Sequence, residues 1–322
     1  MAFALADHWV WDFWLADDSE HYHMFYLHAP KALGNPDLRH RNARIGHATS
    51  TDLATWTDHG RIFEPGPAGS FDSTANWTGS VVRASDGRWY LYYTGSRFLS
   101  PDSNANVETI GLAVSDDLHA WTKLPGPIAT ADARWYETLG TSSWPEEAWR
   151  DPWVFQGADG AWHMLITARA NHGEVMERGV VGHAVSADMR NWDVGPPLSA
   201  IGAGFSHIEV PQIVEVEGHL HLLFCCDSPR LSGRLAGQQG GIWSVAVPDA
   251  LGPYAIERAT LLVPQTLYAG RIARDRTGHP VLLAFNNVQA GGSFAGSISG
   301  PMRLAVRSHA DGMPYLVTED DA

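Results

Sequence analysis

"IGHATSTDLATW" (Ile45–Trp56) reads as a short strand, a Ser-x-Asp turn followed by an apolar residue, and a closing Trp. The pattern returns as "IGLAVSDDLHAW" (Ile110–Trp121) and "VGHAVSADMRNW" (Val181–Trp192). Fainter copies are "IWSVAVPDALGPY" (Ile242–Tyr254) and "MRLAVRSHADGMPY" (Met302–Tyr315). The closing aromatics stand at 56, 121, 192, 254 and 315, so the unit recurs every 61 to 71 residues. Self-similarity at one period is the signature of a repeat architecture.

A second series runs in phase with the first: "HYHMFYLHA" from His21, "RWYLYYTGS" from Arg88, "AWHMLITAR" from Ala161, "HLHLLFCCD" from His219 and "HPVLLAFNN" from His279. These segments are rich in aromatic and branched residues, and most follow a turn such as "SDGR" or "VEGH", as strands do. A further short strand precedes each one. Every unit therefore holds at least three strands, and no amphipathic helix interrupts them. The expected fold is all-β, a five-bladed β-propeller occupying residues 1–322 as a single domain, with no room for a C-terminal β-sandwich.

The bulk numbers narrow the function. The 322 residues are 44% hydrophobic and 18% charged, with 22 basic against 36 acidic side chains and a net charge of −14. That balance argues against nucleic acid or an anionic membrane surface as partner, because phosphate binding needs clustered Lys and Arg. The only cysteines, Cys225 and Cys226, are adjacent and read as free thiols in a strand, which fits a reducing compartment. With no apolar leader or long apolar run, the expected location is cytoplasmic. No Gly-rich phosphate loop or Cys-His cluster appears, so neither a cofactor nor a metal is expected; His21 and His23 share a strand face but make a weak metal pair. Oligomeric state is not readable from the pattern.

When the units are aligned on the second strand, Asp12, Asp151 and Glu209 fall at one phase, at the start of the first strand, with Thr78 as their counterpart in unit two. Each acid is flanked by apolar or aromatic residues. A lone Asp before a strand usually caps a turn, but three acids at one phase of a propeller should converge at one mouth of its channel. Converging carboxylates in an apolar setting acquire different proton affinities. Two-carboxylate sugar chemistry needs that: one acid to protonate the leaving oxygen and one carboxylate to attack carbon. On this reading Glu209, between Ile208 and Val210, should have a raised pKa.

The motifs resemble those of the invertase and levansucrase families, glycoside hydrolase families 32 and 68. "WRDPWVF" (Trp149–Phe155) is similar to their Arg-Asp-Pro motif. "RNARIGHATSTDLATW" resembles the invertase-type Trp-Gly-His-Ala segment with Ile45 in place of Trp. "WTGSVV" (Trp77–Val82) resembles the Ser-Gly-Ser segment, and "HIEVPQIV" the Glu-Cys-Pro motif with Val210 in place of Cys. "VWDFW" (Val10–Trp14) is closer to the levansucrase nucleophile motif. The resemblance implies Asp12 as nucleophile, Asp151 as transition-state stabiliser and Glu209 as general acid/base. It also implies Trp11, Trp14, Trp77, Ser80 and Arg150 as substrate-binding residues.

The implied activity is retaining cleavage of terminal β-D-fructofuranosides such as sucrose or short fructans, with hydrolysis and fructosyl transfer both open. The alternatives are an inverting arabinanase-type furanosidase propeller and a non-catalytic carbohydrate-binding propeller. The runs 101–108 and 135–147 are expected to shape a rim, and "GGSFAGSISG" (Gly291–Gly300) to form a mobile loop over one face.

Overall fold

The computed structural model describes residues 2–289 and 292–319. Five antiparallel sheets follow one another along the chain. In blade one, as in blades three and four, four strands are hydrogen-bonded in sequence order; those of blade one are His8–Asp17, Tyr22–Pro30, Arg44–Ser50 and Thr57–Phe63. The first strands of the other blades are Ala75–Arg83, Trp149–Gln156, Glu209–Val216 and Leu267–Arg274. They pack against one another around the centre of the ring. The five-bladed propeller read from the repeats is the fold, and no sheet outside it exists among the described residues. The helical elements among them are 3-10 turns of three or four residues.

The repeated Ser-x-Asp turn has a specific job. Ser50 Oγ accepts from the Asp52 and Leu53 amides at 3.1 and 2.9 Å, while Asp52 Oδ1 accepts from Ala54 and Thr55 at 2.9 and 2.7 Å. Ser115 with Asp117, and Ser186 with Asp188, reproduce this set. The turn forces Leu53, Leu118 and Met189 to φ of 62°, 66° and 65°. That left-handed conformation is costly for large side chains, and their near-complete burial in the core offsets it. Gly46 has another reason: a Cβ there would lie 2.3 Å from the Tyr26 ring.

The core lies between neighbouring sheets, where Trp14, Phe25, Trp149, Tyr92 and Phe224 are fully buried. A fully buried cation ties three of the inner strands together. Arg271, 1% exposed, donates to the carbonyls of Phe13, Val210 and Pro211 at 3.3, 3.1 and 3.0 Å, linking blade five to blades one and four. Buried charge is tolerated only with such partners. The expected mobile loop is corrected in part: Gly291 lies outside the described residues, but Phe294–Ile298 is a strand pairing Phe285 with Ile298. Alternating burial in that strand, with Gly296 and Ile298 inward, is the signal that the glycine-rich composition hid.

Candidate active site

Every inner strand breaks its pairing near its start. Asp12 and Thr78 are the extra residues in blades one and two, and two residues bulge in each of the other blades, Asp151-Pro152, Val210-Pro211 and Ala269-Gly270. Asp151, Val210 and Ala269 take positive φ of 58°, 54° and 47°, a strained state for non-glycine residues that clusters at functional sites. The bulge re-aims side chains, so that residues at and just before it face a cavity of about 550 Å³.

Asp12, Asp151 and Glu209 all line that cavity. Thr78 Oγ1 donates to Asp12 Oδ2 at 2.7 Å, so the threonine at the same position in blade two does serve a neighbouring acid. Thr167 Oγ1 and the Val210 amide donate to Asp151 Oδ2 at 2.8 and 3.2 Å. Arg150 Nη2 donates to Glu209 Oε1 at 2.7 Å, and Tyr268 Oη donates to Glu209 Oε2 at 2.6 Å. Arg150 Nη1 is held by Glu108 and Glu146 at 3.0 and 3.1 Å, which fixes the guanidinium plane.

Two expectations need correction. The first is phase: Glu209 pairs with Cys225 just before its bulge, as Arg150 pairs with Thr167. Glu209 is therefore the counterpart of Arg150, and Val210 that of Asp151. The turn joining the first two strands of blade four is one residue shorter than in blade three, and counting back from the second strand shifted the alignment by one. The second is proton affinity. Burial does raise Glu209, but His207, Arg150 and the Tyr268 hydroxyl outweigh it and bring the pKa down to about 2. Asp12 goes the other way: burial and the Asp151 charge push it up to about 7. Asp151 is also raised, by burial that Arg150 only partly opposes.

Of the remaining expected residues, Trp11, Trp77 and Arg150 line the cavity. Trp14 and Ser80 do not belong to it. Trp14 is fully buried against Phe25, with ring centroids 6.1 Å apart, further along the strand and past the bulge. Ser80 Oγ accepts from the Val154 amide at 3.2 Å, pinning blade two to blade three. His23 is engaged by His47 and Asp18 at 2.9 and 3.1 Å and pairs with neither His21 nor the cavity.

The rim expectation was sound for Asn104, Asn106, Trp144, Pro145 and Glu146, which reach the cavity wall. Residues missed from sequence include Tyr268, His207 and Arg39. Tyr268 stands one place before Ala269 and was within reach of the repeat alignment. Arg39 lies in the 3-10 turn Pro36–Arg39, in the connection between the second and third strands of blade one, outside the repeated strand pattern. Its guanidinium sits 5.7 Å from the Trp11 ring and 4.2 Å from that of Phe294.

The inner strands of the propeller thus turn three carboxylates and an arginine into one pocket. The family model for the glycosyl hydrolases family 32 N-terminal domain matches residues 14–244, and the chain belongs to that family. It is 30% identical over 202 residues to an insoluble isoenzyme of β-fructofuranosidase from Arabidopsis thaliana, covering 61% of this chain and 33% of that protein. It is 29% identical over 208 residues to a raffinose invertase from Escherichia coli, covering 63% and 38%. The matched part thus spans little more than a third of these relatives. The fold superposes on an inulosucrase from Halalkalicoccus jeotgali, bound to kestose, with a TM-score of 0.79 at 23% identity, covering 98% of this chain and 88% of that one.

Proposed function

We propose that the chain is a retaining β-fructofuranosidase acting on sucrose or short fructans. The observation that carries this reading is the placement of Asp12, Asp151 and Glu209 on three blades around one cavity, with Arg150 bonded to Glu209. Glu209 gives a proton to the leaving oxygen while Asp12 attacks the anomeric carbon, forming a fructosyl ester. Glu209 then takes a proton from water as it attacks that carbon and releases Asp12. Asp151, fixed by Thr167 and the Val210 amide, is placed to bind sugar hydroxyls more tightly as the ring flattens.

His207, Arg150 and Tyr268 disfavour a proton on Glu209, so its Arg150 contact must loosen when a glycosidic oxygen arrives. A second sugar replacing water in the last step gives transfer. The cytoplasmic location is likewise proposed, on the unpaired thiols Cys225 and Cys226, and cell fractionation tests it.

Incubation with sucrose, inulin, levan and arabinan, with products separated and the first-formed anomer read by NMR, tests the activity. Fructose released from a fructoside as the β anomer is expected. Release from arabinan alone, or an inverted first product, would overturn the reading.

A further inference from the structure

One wall of the cavity holds two donors that the reaction above does not use, His207 and Asp227, and a third, Cys226, is buried beside them. His207, on the segment leading into the fourth inner strand, faces Cys226 and Asp227 at the end of the neighbouring strand His219–Cys226. Their ligand atoms all lie within 4.8 Å of one another. His207 is 6% exposed and Cys226 fully buried, while the Asp227 side chain is 39% exposed and opens into the cavity. Both ring nitrogens of His207 and the Oδ1 of Asp227 are buried without a hydrogen-bond partner. Buried polar atoms are normally hydrogen-bonded; this imidazole has only ion-pair contacts, Nε2 to Glu209 Oε2 and to Asp227 Oδ1 at 3.3 and 3.6 Å, and a cation between it, the thiol and the carboxylate would satisfy all three. The sequence hid this group because its members come from two separate segments and have no common spacing.

The donor chemistry selects the occupant. One nitrogen, one sulfur and one oxygen suit a borderline-soft cation of the zinc class, whereas magnesium and calcium take oxygen alone. Zinc binds such atoms at about 2.0–2.3 Å, so the three ligands need only close in around it. A fourth is at hand, because Glu209 Oε2 lies 3.3 Å from His207 Nε2. We propose that His207, Cys226 and Asp227 form a zinc-class binding site and that the bound cation inhibits the enzyme by taking Glu209 as its fourth ligand. Zinc entry releases the thiol proton of Cys226 to solvent, leaving a thiolate, a neutral imidazole and two carboxylates around the ion. Binding is a property of the site alone; the inhibition rests on the acid/base reading of Glu209.

The test uses the full chain, freed of metal by chelation and titrated with cobalt(II) as a spectroscopic probe and with zinc by calorimetry. One equivalent should bind, cobalt should show a thiolate-to-metal charge-transfer band, and zinc should release a proton. Cys226→Ser should lose that band, weaken zinc at least about tenfold and keep fructoside turnover that zinc no longer inhibits. Asp227→Asn, at a half-exposed position, should weaken zinc without touching the core. Cys225→Ser should keep both band and inhibition. Absence of the cobalt band in the unaltered chain, or its loss in Cys225→Ser but not Cys226→Ser, would overturn the site. Cobalt and zinc bound as expected with turnover unchanged would overturn the inhibition. A bound metal in a protein inactive on every fructoside would support the site while removing the function proposed above.

Discussion

Arg150 and Glu209 occupy the same position of adjacent blades and meet there, Nη2 to Oε1, at 2.7 Å. The repeat thus places a cation beside an anion just before the bulge, on the cavity wall. Glu108 and Glu146 hold the other arm of the guanidinium, so Arg150 serves as a fixed post against which Glu209 is positioned. A buried pair of this kind is costly to break from one side.

Asp12→Asn and Asp151→Asn should each lower kcat on the best fructoside by about four orders of magnitude or more while the circular dichroism spectrum stays unchanged. An amide at position 12 can still accept from Thr78 but cannot attack carbon. Turnover near the unaltered rate in either variant would remove the role assigned to that residue.

Glu209→Ala should be very slow on sucrose and much faster on an aryl fructoside whose leaving group needs no proton. Azide should then accelerate turnover and yield a fructosyl azide of retained configuration, detected by NMR. An inverted azide would mean direct displacement.

Tyr268→Phe removes the hydroxyl that donates to Glu209 Oε2. A hydrogen bond to a charged group contributes about 1.5–3 kcal/mol, so kcat/KM should fall roughly ten- to hundredfold. Steady-state kinetics on sucrose and on the aryl fructoside decide it, and an unchanged kcat/KM on sucrose would mean that Tyr268 does not position the acid.

Acid should destabilise the fold through histidines far from the cavity. Burial lowers His47 to about 3, and His183 and His221 to about 4, against about 6.5 in the unfolded chain. Below pH 6.5 the unfolded chain binds more protons, so stability is full above that pH and falls as pH drops toward 4. Each group contributes up to about 1.4 kcal/mol per pH unit. Urea unfolding at pH 7 and pH 5 measures the difference, and His221→Leu should flatten the slope.

The repeat and the five blades were legible because the Ser-x-Asp turn needs those side chains to bond its own amides, and geometry that strict leaves a spelling. The acids were legible as a set for the same reason. What the spelling could not carry was register. A turn shorter by one residue moved Glu209 against its neighbours, and only pairing with Cys225 restores the alignment. Proton affinity was out of reach as well, since the flanking Ile208 and Val210 are visible in the chain whereas His207, Arg150 and Tyr268 converge on Glu209 through the fold. Trp14 and Ser80 were misplaced because packing against Phe25 and pinning between blades leave no mark in a motif that merely contains them.

The bulge common to the five inner strands separates the aim of a side chain from its identity. Asp151, Val210 and Ala269 share one backbone conformation although one is an acid, one a branched aliphatic and one nearly bare. The backbone, not the side chain, sets the socket, so its residue can differ from blade to blade without changing the fold. Two of the five sockets, at Val210 and Ala269, still hold no reactive group, which leaves this ring with positions where new chemistry can be installed on an already aimed backbone.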